Sequence, residues 1–269
     1  MMDNVFTRSH QALCENDVER KIALTFALAE DWAQDRLQVD IAAAGPVEKI
    51  HVPGRPLRPE LVAPKALKKR KLTTVLGQQA MVHAIAHIEF NAINLALDAV
   101  YRFRDMPKAY LADWIQVAKE EAYHFSLVRQ RLQGLGAEYG DFPAHNGLWA
   151  LALETDHDIL ARMALVPRVM EARGIDVNPG IAKKFASIGD QEMVDVLAII
   201  FRDEIGHVAV GSRWFQYVCA QQGVAPEDTY FEMIRLSGMV GKVRGPFLRE
   251  ARLQAGFSEQ ELDRLCAQG

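Results

Sequence analysis

Glutamate is among the residues least tolerated in a protein interior, yet four of them stand at the centre of apolar helical stripes in this 269-residue chain. With successive residues about 100° apart around a helix axis, Glu89 lies within about 40° of Val82, Ile85, Ile93, Ala96 and Val100. Glu121 shares a face with Trp114, Val117, Phe125, Val128 and Leu132, whereas its neighbour Glu120 points about 100° away. Glu204 shares one with Met193, Leu197, Ile200, Val208 and Phe215, and Glu171 is aligned with Leu153, Leu160 and Ala164. An isolated ionised carboxylate inside an apolar core is too costly to keep, so each must be protonated, paired with a base or bound to a metal.

Bases are scarce on these faces, but two histidines stand three residues after two of the glutamates, in Glu121-Ala-Tyr-His124 and Glu204-Ile-Gly-His207. Positions i and i+3 are neighbours on one helix face, so each pair offers a carboxylate oxygen and an imidazole nitrogen to a common ion. Two helices giving Glu-x-x-His and two giving a single Glu form the ligand set of a di-iron or di-manganese carboxylate bundle. Four glutamates also balance two divalent cations. Composition alone predicts about 0.5 such motifs, and the chain has four. Glu48-Lys-Ile-His51 runs into Pro53-Gly54 and reads as connector; Glu154-Thr-Asp-His157 is the competitor, about 25 Å up the helix from Glu171. Glu171 is favoured as the third-helix ligand, with Glu154 the alternative. His83 and His87 point 120° or more away from Glu89 and read as surface or packing residues.

The helical pattern places these residues in two hairpins. Thr73 and Thr74 offer a cap for a helix to about Arg104, the break at Asp105-Met106-Pro107 precedes a second from Lys108 to Gln133, and a fourth runs from Gln191 to Gln222. The third starts near Leu148, is disturbed at Pro167 and reads as interrupted from Gly174 to Gly180. Glu89 and Glu121 are equidistant from residue 105, and Glu171 and Glu204 from the Ser187-Ile-Gly-Asp190 break. The two separations, 32 and 33 residues, nearly match, as in a pseudo-repeat of metal-binding hairpins. An amphipathic helix over Val18, Ile22, Phe26, Ala29, Ala33 and Leu37 precedes them, and short helices follow Pro226. No alternating run suggests a strand, so the expected class is all-α. The segments are 1–73 (helix and extended connector), 74–222 (bundle) and 223–269 (helical extension), one structural domain overall.

A hydrophobic fraction of 49% with 25% charged residues excludes a disordered or repetitive chain. The net charge of -4 argues against nonspecific nucleic-acid binding. Yet Arg55, Arg58, Lys65, Lys68, Lys69, Arg70 and Lys71, against Glu60 alone, give segment 55–71 a charge of +6. Cys14, Cys219 and Cys266 form no Cys-x-x-Cys pair, and the N-terminus lacks the basic start and apolar run of a signal peptide. With no uninterrupted apolar run of membrane length, the expectation is a soluble cytoplasmic protein.

The sequence resembles the ferritin-like superfamily, and more narrowly a bacterial family of ferritin-like proteins known as a domain of unknown function. The resemblance covers nearly the whole chain. Its carriers are Pro53-Gly-Arg-Pro-Leu-Arg-Pro-Glu-Leu-Val62, Met81-Val-His-Ala-Ile-Ala-His-Ile-Glu89, Lys119-Glu-Glu-Ala-Tyr-His124, Arg202-Asp-Glu-Ile-Gly-His207, Arg244-Gly-Pro-Phe247 and Ala255-Gly-Phe257. Met170-Glu-Ala-Arg173 is similar to the third-helix ligand box of MiaE-type tRNA hydroxylases and supports Glu171. The resemblance implies a ferritin-like four-helix bundle with a di-metal site, and no particular substrate.

The expected function is therefore a di-iron carboxylate oxidoreductase, an oxidase or hydroxylase activating dioxygen. Glu89, Glu121, His124, Glu171, Glu204 and His207 would hold two iron ions, with Fe/Mn or Mn/Mn accepted by the same donors. Arg173, beside the interrupted segment, is a candidate substrate contact. The alternatives are a ferroxidase or metal-handling protein and, through segment 55–71, an RNA-modifying hydroxylase. Substrate, electron donor and oligomeric state are open, a dimer being compatible with the pattern.

Overall fold

A computed structural model describes residues 3–241 and 243–268. The protein is all-α: beyond eleven helices and a few turns, the described residues hold a two-residue parallel pair, β1 (Asp3–Asn4) with β2 (Leu37–Gln38). Contacts divide the chain into two compact units, Met1–Leu153 and Glu154–Gly269, a boundary within segment 74–222.

The first unit is built on α3 (Val75–Arg102) and α4 (Lys108–Gly134). Thr74 caps α3 by accepting from Gly77 N–H at 3.1 Å, and Arg102 closes it with a bidentate grip on Asp98 one turn earlier. Residues 103–107 are too few for anything but a tight reversal, so α4 returns antiparallel along α3. By length and composition α3 could cross a membrane, but 78% of its most apolar stretch is buried inside the protein. It also buries His83, His87, Glu89, Asn91, Asn94 and Asp98.

The N-terminal region forms two helices, α1 (Val5–Leu13), which periodicity did not mark, and α2 (Val18–Ala33), which starts at Val18 as expected and ends short of Leu37. The buried face of α2 is also one residue out of phase with the apolar stripe, since it holds Lys21, Thr25, Leu28 and Ala29. Lys21 explains the offset. Its ammonium donates to the Ala12 and Leu13 carbonyls at 2.7 and 2.8 Å and to Asn94 Oδ1 at 2.8 Å. It thereby caps the C-terminus of α1 with a cation. Burial pushes its pKa down to about 7.

The proline-rich connector is extended, as its composition requires, and is pinned at defined points. Gly54 donates to the Leu13 carbonyl at 2.8 Å, and a Cβ there would lie 2.2 Å from the Glu15 carbonyl oxygen, so only glycine fits. Val62 donates to Ala144 and Ala144 to Glu60, joining the connector to the loop after α4. That loop folds onto α3: His83 Nε2 accepts from Gly140 N–H at 2.9 Å, and Tyr139 Oη meets His87 Nδ1 at 2.9 Å. His83 and His87 are thus packing residues. The short α5 (Gly147–Glu154) follows.

In the second unit α6 (Ile159–Leu165) runs into a π-helical turn, Val166–Glu171, and on into α7 (Ala172–Ser187). The third helical pattern is therefore interrupted at 155–158, while Gly174–Gly180, read as a break, lies inside α7 with Pro179 tolerated in it. Gly189, at φ +78°, makes the reversal into α8 (Gln191–Gln222), which Asp190 caps and Gly223 ends at φ +68°. The C-terminal helices α9 (Pro226–Leu236), α10 (Arg249–Gln254) and α11 (Glu259–Gln268) complete this unit.

Candidate metal centre

Glu89 on α3 and Glu121 and His124 on α4 come together in the core of the first unit, with 3% of Glu89 and none of the other two exposed. Each residue offers a ligand atom, and these atoms lie within 4.8 Å of one another. His124 Nδ1 is 3.4 Å from Glu89 Oε2 and 3.5 Å from Glu121 Oε2. Both separations exceed the 2.7–2.9 Å of a closed charge-assisted hydrogen bond. They lie at, or about 0.1 Å beyond, the edge of a coordination shell, since two donors each about 2.1 Å from one ion stand about 3.0–3.4 Å apart. The donor set, two carboxylates and an imidazole nitrogen, suits iron, manganese or zinc.

Electrostatics show what this cluster does without an ion. Burial, with the nearby Glu121 charge, pushes the Glu89 carboxyl above its ordinary range, and His124 relieves it only in part. Burial works against a charged His124, but the carboxylates of Glu121 and Glu89 outweigh it and raise its pKa to about 11. The raised pKa favours a protonated His124, which offsets carboxylate charge where no ion is bound. Nδ1 faces them both, so Nδ1 would be the ligand and Nε2 would carry the remaining proton.

An aromatic group packs next to these residues in sequence. Phe90 and Phe125, adjacent in sequence to Glu89 and His124, pack edge to face at 5.4 Å, and the Tyr139 ring lies 5.2 Å from each. Glu120, the neighbour that helical phase turned away, instead accepts from Gln116 at the surface.

In the second unit Glu204 and His207 are one turn apart on α8 and buried, with 8% and 1% exposure. Glu171 is the last residue of the π-helical turn and is half-buried. Glu154, the alternative, is exposed at the end of α5, and the His157 side chain is 74% exposed. Glu48 and His51 lie in the extended connector. Arg173 is exposed and donates to the Arg244 carbonyl at 2.8 Å. The π-helical turn was not foreseen, although Pro167 marked where the ladder had to change.

These features define an all-α protein carrying a buried glutamate–histidine cluster able to bind a metal ion. The chain belongs to the family described as "Protein of unknown function (DUF455)", which it matches over residues 14–263. An "Uncharacterized protein" of Haemophilus influenzae is 48% identical over 215 residues, covering 77% of this chain and 74% of that one. No solved structure matches the chain.

Proposed function

We propose that this protein is an oxygen-activating di-metal oxidoreductase, an oxidase or hydroxylase, built on a ferritin-like bundle of the α3–α4 and α7–α8 hairpins. The observation that carries the reading is the meeting of Glu89, Glu121 and His124 in the core of one hairpin. Glu204 and His207 of α8 repeat the Glu-x-x-His spacing of α4, and Glu171 takes on the second hairpin the place that Glu89 has on the first. Together the six residues would hold two ions, with four carboxylates offsetting four positive charges. Two bound irons, or an Fe/Mn or Mn/Mn pair, would supply the one-electron chemistry of dioxygen activation.

The chain's own part is to hold and to exclude. Glu89 and Glu121 provide anionic oxygens in a region of low dielectric, where their hold on a cation is strongest. On metal binding His124 would give up its Nδ1 proton and serve as a ligand through that nitrogen. The burial of Glu89, Glu121 and His124 would keep bulk water from the ions they hold.

Titration of the metal-free protein with Fe(II), followed by dioxygen uptake, tests this. Two irons per chain are expected, with iron-dependent uptake that Glu121→Ala abolishes. Failure to bind iron, with Glu121→Ala indistinguishable from wild type, overturns it.

A second reading, an RNA-modifying hydroxylase, is favoured by one observation: Lys65, Lys68, Lys69, Arg70 and Lys71 are all exposed. Filter binding across a salt series, with Lys68–Lys71 neutralised, decides it. A lost salt-dependent RNA affinity supports the reading, and an unchanged one removes it.

A further inference from the structure

The feature of the second unit that the metal reading leaves unused is a buried charge network around the π-helical turn. Arg168, in the middle of that turn, is 1% exposed. Its Nη2 donates to both carboxylate oxygens of Glu261 on α11, at 2.8 and 2.9 Å, and its Nε reaches Ser212 Oγ on α8 at 3.2 Å. The guanidinium lies over the rings of Phe215, Tyr230 and Phe257 at 4.4–4.7 Å. The Arg168 main chain is held too, because Tyr230 Oη donates to its carbonyl at 3.0 Å.

Glu261 is fixed in turn. Its carboxylate accepts from Ser258 N–H at 2.8 Å while its own N–H donates to Ser258 Oγ at 3.0 Å, a reciprocal cap at the start of α11. The Ala255-Gly-Phe257 motif serves the same structure. Gly256 adopts φ +84°, a Cβ there would stand 2.9 Å from Ser212 Cβ, and Phe257 provides one of the rings beneath Arg168. Downstream of the turn, Arg252 of α10 grips Asp176 of α7 at 2.7 Å, both buried. The C-terminal helices thus hold the chain on both sides of Glu171, at Arg168 and at Asp176.

A π-helical turn inserts one residue's worth of slack into a helix, and one residue is about 100° of rotation. Relaxation of Val166–Glu171 to plain α-helix would turn Glu171 onto another face. Pro167 opens the regular ladder, because it lacks an N–H, but proline alone does not choose between a kink and a π turn. Arg168 is the residue of this turn whose side chain and carbonyl are both held from outside it.

We propose that Glu261, acting through Arg168, is a positioning residue for Glu171: the C-terminal clamp sets the phase of the π-helical turn and with it the second metal position. This rests on the di-metal reading. Manganese(II) titration of the full chain, with free Mn(II) followed by its paramagnetic resonance signal, tests it.

Wild type is expected to take up two ions, and Glu171→Gln to weaken one of them. Glu261→Gln weakens that same ion about 10-fold, leaves the other unchanged, and adds nothing further in the double variant. Ser212→Ala, which removes a single contact to Arg168, gives a smaller loss of the same ion and carries the test should Glu261→Gln not fold. Unchanged affinity for both ions in the folded variants overturns the proposal, as does a loss that simply adds to that of Glu171→Gln. A wild-type chain that takes up no Mn(II) overturns the di-metal reading, and the positioning role falls with it.

Discussion

Glu89, Glu121 and His124 show how one residue type serves opposite ends in folding and binding. Glu89 and Glu121 are buried close together beside His124, and burial with the Glu121 charge pushes the Glu89 carboxyl above its ordinary range, so holding both carboxyls in a dry core costs stability. Glu121→Gln is therefore expected to melt at or above the temperature of the metal-free wild type in a thermal scan. The same variant should lose the stabilisation that metal confers, which for a single ion at 100 times its Kd is about 2.7 kcal/mol. His83 and His87 set a separate pH dependence. Burial lowers both to about 4. The folded state thus keeps them neutral while the unfolded chain binds protons below about 6.5. Their contribution is complete above about pH 6.5 and is lost as pH falls toward 4, by up to about 3 kcal/mol each. The geometry agrees, since His83 Nε2 accepts from Gly140 and has no place for a proton. Chemical denaturation at pH 7 and pH 5 should show the loss, and His83→Gln should flatten part of it.

Among the elements, those with strong local signals are where periodicity put them. Thr74 caps α3, α4 starts at Lys108, and α8 spans Gln191–Gln222 as expected. The Glu-x-x-His pairs were legible because i and i+3 share a face in any α-helix. Elements whose boundaries depend on other elements were not. Asp17, accepting from Arg20 N–H, marks the start of α2 locally, but nothing local centres its buried face on Lys21; the acceptors Lys21 needs are the α1 carbonyls and Asn94, brought by the fold. Gly174–Gly180 looked like a break because glycine and proline are poor helix formers, yet packing keeps α7 continuous through Pro179. The π-helical turn is the sharpest case. Gly211 permits α8 to approach it so closely that an added Cβ would meet Pro167 Cβ and Cγ at 2.3 Å. Gly211→Ala is expected to destabilise the protein by about 1–3 kcal/mol, lowering its melting temperature by several degrees. An unchanged melting curve would mean that the turn yields freely.

At the scale of the whole molecule, the metal reading makes a demand on residues far apart in the chain. Glu204→Gln is expected to weaken metal binding measured at His124, for example by its paramagnetically shifted imidazole resonances, although 80 residues separate them. Conversely, replacing Lys68, Lys69, Arg70 and Lys71 by alanine should change neither metal uptake nor the melting temperature, because all four are exposed in the extended connector. The family resemblance carried by Pro53–Val62 has a structural cause at this scale: Gly54 seats the connector on the end of α1, and Arg55 holds its course by donating to the Pro59 carbonyl at 3.1 Å.

By itself the sequence determined the helical class, the faces that carry Glu89, Glu121, His124, Glu204 and His207, and the reversals near residues 105 and 188. All of these follow from a repeat of 3.6 residues and from turn chemistry within a few positions. The tertiary structure alone decided how far His124 Nδ1 stands from Glu89 and Glu121, the π phase of the turn that ends at Glu171, and the burial of Lys21, Arg168 and Arg252. A buried charge is stable only where partners from distant segments converge on it, and that convergence is a property of the folded chain.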